Sequence, residues 1–165
     1  MVTIGILSDT HETYPSEQFA ELCLSTFSSC DVIVHAGDLT DMTLLSVFQG
    51  KEVHAVCGNS CNMRTRQSLP VEKVIIIEGV KIAVTHGTGP RHNIEARVFE
   101  RFPDAACIIF GHTHIPVCHN YANTLLINPG SFRSTGKYGS PGTYAILQIG
   151  SAGLKAEIRN LPGIS

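Results

Sequence analysis

The sequence is short of charge, and the charge that it carries is nearly balanced. Only 16% of its 165 residues are Asp, Glu, Lys or Arg, and the formal net charge is −2. General affinity for nucleic acid requires clustered Lys and Arg, because contacts to phosphate supply most of it. Nucleic acid is therefore not an expected partner, although Arg64 and Arg66 can make a local contact.

The sequence also lacks long apolar runs and any sign of a secretory signal. Its longest apolar runs, such as residues 74–77, are far shorter than the roughly 20 residues that a membrane-spanning helix needs. A strand-like segment begins at Val2 with no basic region before it. These absences predict a protein with no membrane partner and with a cytoplasmic location.

Paired cysteines are missing as well. The six cysteines include no Cys-x-x-Cys spacing, which is the usual mark of a zinc or redox site. Cys57 and Cys61 can nominate a zinc site, but no second pair accompanies them. In a reducing compartment the cysteines are interpreted as thiols, and Cys107, which lies in an apolar run, is expected in the core.

What the sequence does contain is an ordinary globular composition, with 43% hydrophobic residues. A chain of this length buries roughly two-thirds of its unfolded surface when it folds as one unit. Residues 1–165 are therefore predicted to form a single domain.

Strand-like and helix-like segments alternate in the first sixty residues. Residues 2–7, 31–35 and 52–57 are short apolar runs, and each of them leads into a polar loop. Ser16 can cap a helix with an apolar residue at every fourth position, and Thr40 can cap a shorter helix. Strands that alternate with helices form right-handed crossovers, so a largely parallel sheet is predicted with its polar loops on one side.

The rest of the chain is dominated by hairpins. Antiparallel hairpins are predicted for residues 73–85, 117–127 and 143–160. A helix with Ile94 and Val98 on one face precedes the apolar run 105–110. Residues 134–141, rich in Gly and Ser, are the one flexible-looking stretch.

The run 105–110 ends at Gly111 and then presents His112 and His114. An isolated His-x-His is more often a turn and a solvent-exposed side chain than a metal site. Other loops that follow strands, however, carry further nitrogen and oxygen donors. The full set is Asp9, His11, Asp38, Asn59, His86, His112 and His114. Each residue alone has a structural explanation, but seven such donors at converging strand ends are hard to generate for structural reasons only.

Seven donors are too many for one transition metal and suit two ions that share a carboxylate. Two such ions lie roughly 3.5–4 Å apart, close enough to hold one hydroxide between them and to clamp a phosphoryl group. Hydrolysis of a phosphate ester is the natural use of such a pair. A mixed imidazole, carboxylate and amide set suits several divalent metals. Manganese is the first expectation, with nickel, iron or zinc as alternatives.

The order of these residues resembles that of the calcineurin-like metallophosphoesterases, above all their small bacterial and archaeal phosphodiesterase branch. The matching stretches are Asp9-Thr10-His11, Gly37-Asp38, Gly58-Asn59, His86-Gly87, Gly111-His112-Thr113-His114 and Asn128-Pro129-Gly130-Ser131. The resemblance implies a four-layer α/β fold in which helices flank two mixed central β-sheets. The ligands that it implies are Asp9, His11 and His114 for one ion, Asn59, His86 and His112 for the other, and Asp38 between them.

The sequence departs from this family beside the expected site. After Gly-Asn many relatives have His and an acidic residue, and the smaller branch often has Cys and Asp, whereas this chain has Ser60 and Cys61. The resemblance implies that in relatives this histidine assists departure of the leaving group. Close relatives often carry a further histidine where this chain has Thr88. The sequence thus identifies no proton donor for the departing oxygen.

The donor set and the resemblance together predict a dinuclear metal-dependent phosphodiesterase that uses a metal-bridging hydroxide, with Asp38, Asn59 and His86 as catalytic residues. The expected partner is a small phosphodiester or nucleotide-like substrate. Two alternatives stay open. One is a phosphomonoesterase or nuclease, and the other is a non-catalytic interaction scaffold, because a eukaryotic retromer subunit resembles this family. Loss of a metal ligand would favour the scaffold. The sequence leaves open whether the chain assembles as a homo-oligomer.

Overall fold

Two mixed five-stranded sheets form the centre of the computed structural model, which describes residues 1–133 and 141–162. The strands are β1 (Val2–Leu7), β2 (Val32–His35), β3 (Glu52–Ala55), β4 (Glu72–Ile77), β5 (Val80–Thr85), β6 (Cys107–Ile109), β7 (Val117–Tyr121), β8 (Thr124–Asn128), β9 (Thr143–Gly150) and β10 (Gly153–Asn160). The helices are α1 (Glu17–Thr26), α2 (Met63–Ser68), α3 (Ile94–Arg101) and a 3₁₀ helix at Met42–Phe48. None of these described helices has the length and apolar character that crossing a membrane requires.

Each sheet combines a parallel part with antiparallel hairpins. The first sheet has the order β10-β9-β1-β2-β3, with β1, β2 and β3 parallel and β9 antiparallel to its neighbours. The second has the order β4-β5-β6-β8-β7, with β5, β6 and β8 parallel and the two edge strands antiparallel. The predicted parallel start of the chain and the three predicted hairpins are confirmed.

Apolar side chains fill the interfaces between four layers. The cluster between the two sheets includes Ile4 and Val34 of the first sheet with Val84, Ile109 and Ile127 of the second. A second cluster joins α1 and the 3₁₀ helix to the first sheet, and a third joins α3 to the second sheet. Full burial of one such side chain contributes about 1.5–3 kcal/mol. The order is helix, sheet, sheet and helix, so the predicted four-layer fold is confirmed.

Of the two predicted helix caps, one is confirmed. The hydroxyl of Ser16 accepts the N–H of Phe19 at 3.2 Å and begins α1. The prediction for Thr40 is wrong, since the 3₁₀ helix is capped by Asp41, whose carboxylate accepts the N–H of Thr43 at 2.9 Å. Thr40 has a φ of 62°, whereas an N-cap residue needs an extended backbone.

Some local features escape the sequence patterns. The helix α2 is too short to show an apolar period, and the amide oxygen of Asn62 caps it by accepting the N–H of Thr65 at 2.9 Å.

The flexible-looking stretch 134–141 lies, apart from its last residue, outside the described residues. The cysteines are free thiols as expected, and Cys107 is fully buried.

Candidate metal centre

The loops that follow five strands meet at one place. Asp9 donates its N–H to the carbonyl of Gly37 at 2.9 Å, and Gly111 donates to the carbonyl of His86 at 3.2 Å. The seven expected donors lie on these loops, which follow β1, β2, β3, β5 and β6. Parallel strands of both sheets therefore deliver polar side chains to a common centre.

The first group of donor atoms belongs to Asp9, His11 and His114. Nε2 of His114 lies 3.1 Å from Oδ1 of Asp9 and 3.4 Å from Nε2 of His11. Nε2 of His11 is 3.8 Å from the same carboxylate oxygen. The three atoms lie within 4.8 Å of one another, close enough to bind one ion. These are the residues that the resemblance implies for one metal.

The second group belongs to Asp9, Asp38 and His86, all of them buried. Nε2 of His86 lies 3.2 Å from Oδ2 of Asp38 and 3.8 Å from Oδ1 of Asp9. The same oxygen of Asp38 is 4.0 Å from Nε2 of His11, so this carboxylate lies between the two groups. Asp9 also belongs to both groups, whereas the resemblance implies a shared position for Asp38 alone.

Asn59 and His112 adjoin the second group. Oδ1 of Asn59 is 3.2 Å from Nδ1 of His112, whose ring packs edge-on against His86 with centroids 5.4 Å apart. Nε2 of His112 is 3.0 Å from the carbonyl of Gly89. A carbonyl only accepts, so Nε2 carries the proton of the neutral ring. Nδ1 and the Asn59 oxygen thus face each other with lone pairs, an arrangement that a cation stabilises.

Two buried atoms at the centre, Oδ1 of Asp9 and Nε2 of His86, have no hydrogen-bond partner among the described residues. His86 donates its Nδ1 proton to the carbonyl of Ala36 at 2.7 Å, so Nε2 of the neutral ring is a lone pair. A buried acceptor without a partner costs about 1–3 kcal/mol. Converging nitrogen and oxygen lone pairs fit a divalent transition metal.

A model of the calcineurin-like phosphoesterase superfamily domain matches residues 2–152. The chain belongs to the calcineurin-like phosphoesterase superfamily. A probable metallophosphoesterase of Methanocaldococcus jannaschii is 33% identical over 132 residues, which are 78% of this chain and 67% of that protein. A phosphodiesterase of the same archaeon is 26% identical over 142 residues, which are 77% of this chain and 82% of that protein.

The fold is also that of a solved structure, the zinc complex of Vps29 from Entamoeba histolytica. The TM-score is 0.73 at 22% identity, and the match covers 98% of this chain and 100% of that one. This likeness concerns the fold alone. Membership of the superfamily places the chain in a family of metal-dependent phosphoesterases, and its converging Asp and His side chains are candidate metal ligands.

Two serines, Ser8 and Ser60, orient the two carboxylates of the centre. Ser8 donates its hydroxyl to Oδ2 of Asp9 at 2.6 Å and so leaves Oδ1 for the centre. Ser60 donates its N–H to Oδ1 of Asp38 at 2.8 Å and its hydroxyl to Oδ2 at 3.1 Å. Partners of this kind hold metal ligands in place. Sequence reasoning missed both contacts. Ser60 lies 22 residues from Asp38 in the chain, and a serine next to an aspartate, as at Ser8, carries no distinctive signal.

The Asn-Pro-Gly-Ser loop supports two of the donor loops. The buried amide of Asn128 donates to the carbonyl of Gly111 at 2.9 Å and to the hydroxyl of Thr113 at 3.0 Å. Ser131 donates its hydroxyl to the carbonyl of Asp9 at 3.1 Å. The resemblance includes this motif, but only the folded chain shows that it supports the loops that carry the donors.

Most of the donor residues have a left-handed backbone. φ lies between 50° and 71° at Asp9, His11, Asp38, His112 and His114. For residues other than Gly this conformation costs of order 1–3 kcal/mol and persists only where the surrounding structure enforces it. The backbone is also tightly packed at Gly58, since a Cβ there would collide with the carboxylate of Asp38.

Burial and neighbouring charges shift the pKa values of three side chains in the centre. Burial raises the pKa of Asp38, but His86, the N–H of Ser60 and His11 outweigh burial, so this pKa is lowered overall. Burial lowers the pKa of His86, but Asp38 and Asp9 outweigh burial, so this pKa is raised overall. Burial prevails at His11, whose pKa is lowered. Asp38 is therefore ionised at neutral pH, and the centre attracts positive charge.

Proposed function

We propose that this phosphoesterase is a dinuclear metal-dependent phosphodiesterase that hydrolyses a P–O bond of a small or nucleotide-like diester. The proposal is carried by two adjacent donor groups with the carboxylate of Asp38 between them, and by Oδ1 of Asp9 and Nε2 of His86, which are buried without a hydrogen-bond partner among the described residues. Two groups of acceptors with a shared carboxylate suit two neighbouring ions. The likeness to an archaeal phosphodiesterase supports a diester as the substrate.

In this proposal each ion has three ligands of its own, and one carboxylate serves both. The ligands are Asp9, His11 and His114 for the first ion, Asn59, His86 and His112 for the second, and Asp38 for both. Two divalent ions held by these residues would supply a nucleophile at neutral pH and positive charge for the phosphoryl group. Manganese is the first choice, and nickel, iron or zinc suit the same donors.

The chain itself contributes orientation, and we assign catalytic roles to Asp38, Asn59 and His86. The carbonyl of Ala36 holds the ring of His86, and Ser60 holds the carboxylate of Asp38. Groups fixed in this way need no reorganisation when charge develops on a phosphoryl group. Asp38 and His86 are buried whereas Asn59 is exposed, so substrate approaches from the side of Asn59.

The competing hypothesis of a non-catalytic scaffold requires a defective site. Each position that the resemblance implies for a ligand holds an Asp, Asn or His, and these side chains lie together. The fold shared with Vps29 does not distinguish the two hypotheses, because a likeness at 22% identity concerns architecture only. A phosphomonoesterase or nuclease uses the same chemistry and differs from a phosphodiesterase in its substrate.

The test is hydrolysis of bis(p-nitrophenyl) phosphate by protein stripped of metal and then titrated with manganese. Activity is expected to rise with manganese and to saturate near two ions per chain. Asp38→Asn is expected to lower kcat/KM by at least about 100-fold, since it weakens a carboxylate that serves both ions. Asp104→Asn changes an exposed carboxylate outside the centre and is the matched control.

Two results would contradict the two-metal mechanism. One is full activity after exhaustive chelation, and the other is full activity in Asp38→Asn. Saturation at a single ion per chain would replace it with a mononuclear mechanism.

A further inference from the structure

A pocket of about 250 Å³ opens beside the proposed metal centre. Asn59 and His86 are among the residues that line it, together with Arg66, Val71 and Thr88. A second pocket of about 250 Å³ shares Val71 and Thr88 with the first and continues toward α3. The two pockets adjoin each other, and the first gives room for a substituent beyond the reacting phosphorus.

Arg66 supplies the charge of this pocket. The described residues that line it include no Asp or Glu, and no Lys or other Arg. Arg66 donates its Nε–H to the carbonyl of Cys61 at 2.8 Å and its Nη2–H to the carbonyl of Asn59. Among the ion pairs of the described chain Arg66 has no carboxylate partner, unlike Arg101 with Glu72. A guanidinium held by two carbonyls still has N–H donors left for an anion.

Apart from the proposed metal ligands Asn59 and His86, the described residues that line this pocket include no acid placed to protonate a departing oxygen. Ser60, at the position of the relatives' histidine, donates its hydroxyl to Asp38. Thr88 offers only an aliphatic hydroxyl, which is too weak an acid. The thiol of Cys57 is buried in an apolar cluster with Leu39 and Cys61. A group that leaves through this pocket must therefore be stable as an anion without protonation.

We infer that this pocket binds an anionic phosphate leaving group, so that the substrate is a phosphoanhydride diester such as a nucleoside diphosphate with a further ester. The inference rests on the proposed phosphodiesterase function and narrows its substrate. A phosphomonoester has a second pKa of about 6, so it leaves readily without a proton. Its negative charge pairs with Arg66, and charge-assisted hydrogen bonds of this kind are the strong ones.

The reaction balances without a further reactant. A water oxygen forms a bond to the phosphorus at the metal centre while the bond from that phosphorus to the bridging oxygen breaks. The bridging oxygen keeps the bonding pair and leaves as part of a phosphomonoester dianion beside Arg66. The other product is also a phosphomonoester, and the two protons of the water pass to solvent.

The test compares two substrates of one nucleoside, UDP-glucose and p-nitrophenyl uridine 5′-phosphate, with the manganese-loaded protein. Arg66→Gln is expected to lower kcat/KM for UDP-glucose roughly 10- to 100-fold, the range of a hydrogen bond to a charged group. For the aryl ester, whose leaving group is uncharged in the substrate, the change is expected to stay within about threefold. Arg64→Gln, on the same helix but outside the pocket, is the matched control.

Binding provides a readout that is independent of turnover. Isothermal titration calorimetry with uridine 5′-(α,β-methylene)diphosphate is expected to show at least about tenfold weaker binding for Arg66→Gln. Arg66→Lys keeps the charge and is expected to lose less affinity, and Arg64→Gln is expected to lose none.

Three results would overturn the inference. Equal losses with both substrates would mean that Arg66 only supports the loop of Asn59, and unchanged kinetics or unchanged binding would mean that it meets no phosphate. If no phosphoester is cleaved at all, the proposed function fails. The binding comparison still decides separately whether the pocket accepts a diphosphate.

Discussion

Ser60 shows how a single residue changes the chemistry expected of this site. Many relatives have a histidine where this chain has a serine that donates both its N–H and its hydroxyl to Asp38. A hydrogen bond to a charged group contributes about 1.5–3 kcal/mol, so the carboxylate is held firmly. The same hydroxyl is thereby withdrawn from any role as a proton donor. Compared with those relatives, this chain has at position 60 a residue that positions Asp38 in place of an acid.

The first prediction at this scale concerns the leaving group. We expect kcat/KM to fall steeply as the pKa of the leaving group rises, with aryl phosphodiesters cleaved far faster than alkyl ones. General acid catalysis contributes about 10²–10⁴-fold, and its absence is felt most with poor leaving groups. The measurement is kcat/KM across a series of aryl and alkyl phosphodiesters at saturating manganese.

Two variants sharpen this prediction. Ser60→His is expected to flatten the dependence on leaving-group pKa, because it restores an imidazole beside the departing oxygen. Ser60→Ala removes only the hydroxyl and is expected to leave the slope unchanged. A flat dependence in the native protein would show that a donor exists elsewhere, with His92 as the first candidate to replace.

At the scale of elements, α1 connects the outer layer to the metal centre. Phe27, just after α1, packs against Phe132 with ring centroids 5.7 Å apart, and Phe19 packs against the same ring at 6.1 Å. Phe132 donates its N–H to the carbonyl of Ser8 at 3.0 Å, and Ser8 in turn holds Asp9. The packing of α1 therefore reaches the donor residues through one aromatic side chain and two hydrogen bonds.

The prediction for this element concerns its N-cap. Ser16→Ala is expected to lower the free energy of unfolding by about 1 kcal/mol, because it leaves the N–H of Phe19 without its acceptor. The measurement is the midpoint of urea unfolding. Ser25→Ala, within the same helix and exposed, is the control and is expected to change stability by less than about 0.5 kcal/mol. Equal losses in both variants would mean that the cap contributes nothing specific.

At the scale of the whole molecule, the donor set joins the two sheets. Asp9, Asp38 and Asn59 follow strands of the first sheet, while His86 and His112 follow strands of the second. Bound ions would link the sheets directly, in addition to the apolar cluster between them. The unfolded chain has no comparable site, so metal binding is expected to stabilise the folded state alone.

The prediction at this scale is a metal-dependent melting temperature. An ion present at 100 times its Kd adds about 2.7 kcal/mol to the free energy of unfolding. At 2–4 °C per kcal/mol for a chain of this size, the Tm is expected to rise by about 5–10 °C per bound ion. Thermal melts with manganese and with a chelator measure the change. An unchanged Tm at saturating manganese would favour the scaffold hypothesis.

The alternation of apolar runs and polar loops was sufficient to predict the parallel strands and the hairpins, because a buried strand needs a continuous apolar run. The division into two mixed central sheets was implied only by the family resemblance. The short helix α2 shows the limit of such patterns, since six residues complete too few turns to reveal a period. The cap at Asp41 instead of Thr40 shows a second limit of such patterns. Which of two adjacent polar residues caps a helix depends on backbone angles that the surrounding fold imposes.

The sequence by itself determined which donors this protein carries and that each follows a strand, because residue type and local hydrophobic pattern are properties of the chain. Only the tertiary structure decided that Asp9 belongs to both donor groups, that Ser8 and Ser60 orient the carboxylates, and that Arg66 faces a pocket beside Asn59. These contacts join residues far apart in the chain or depend on side-chain rotamers. No local pattern records such distances, since they arise when loops from two sheets pack into one centre.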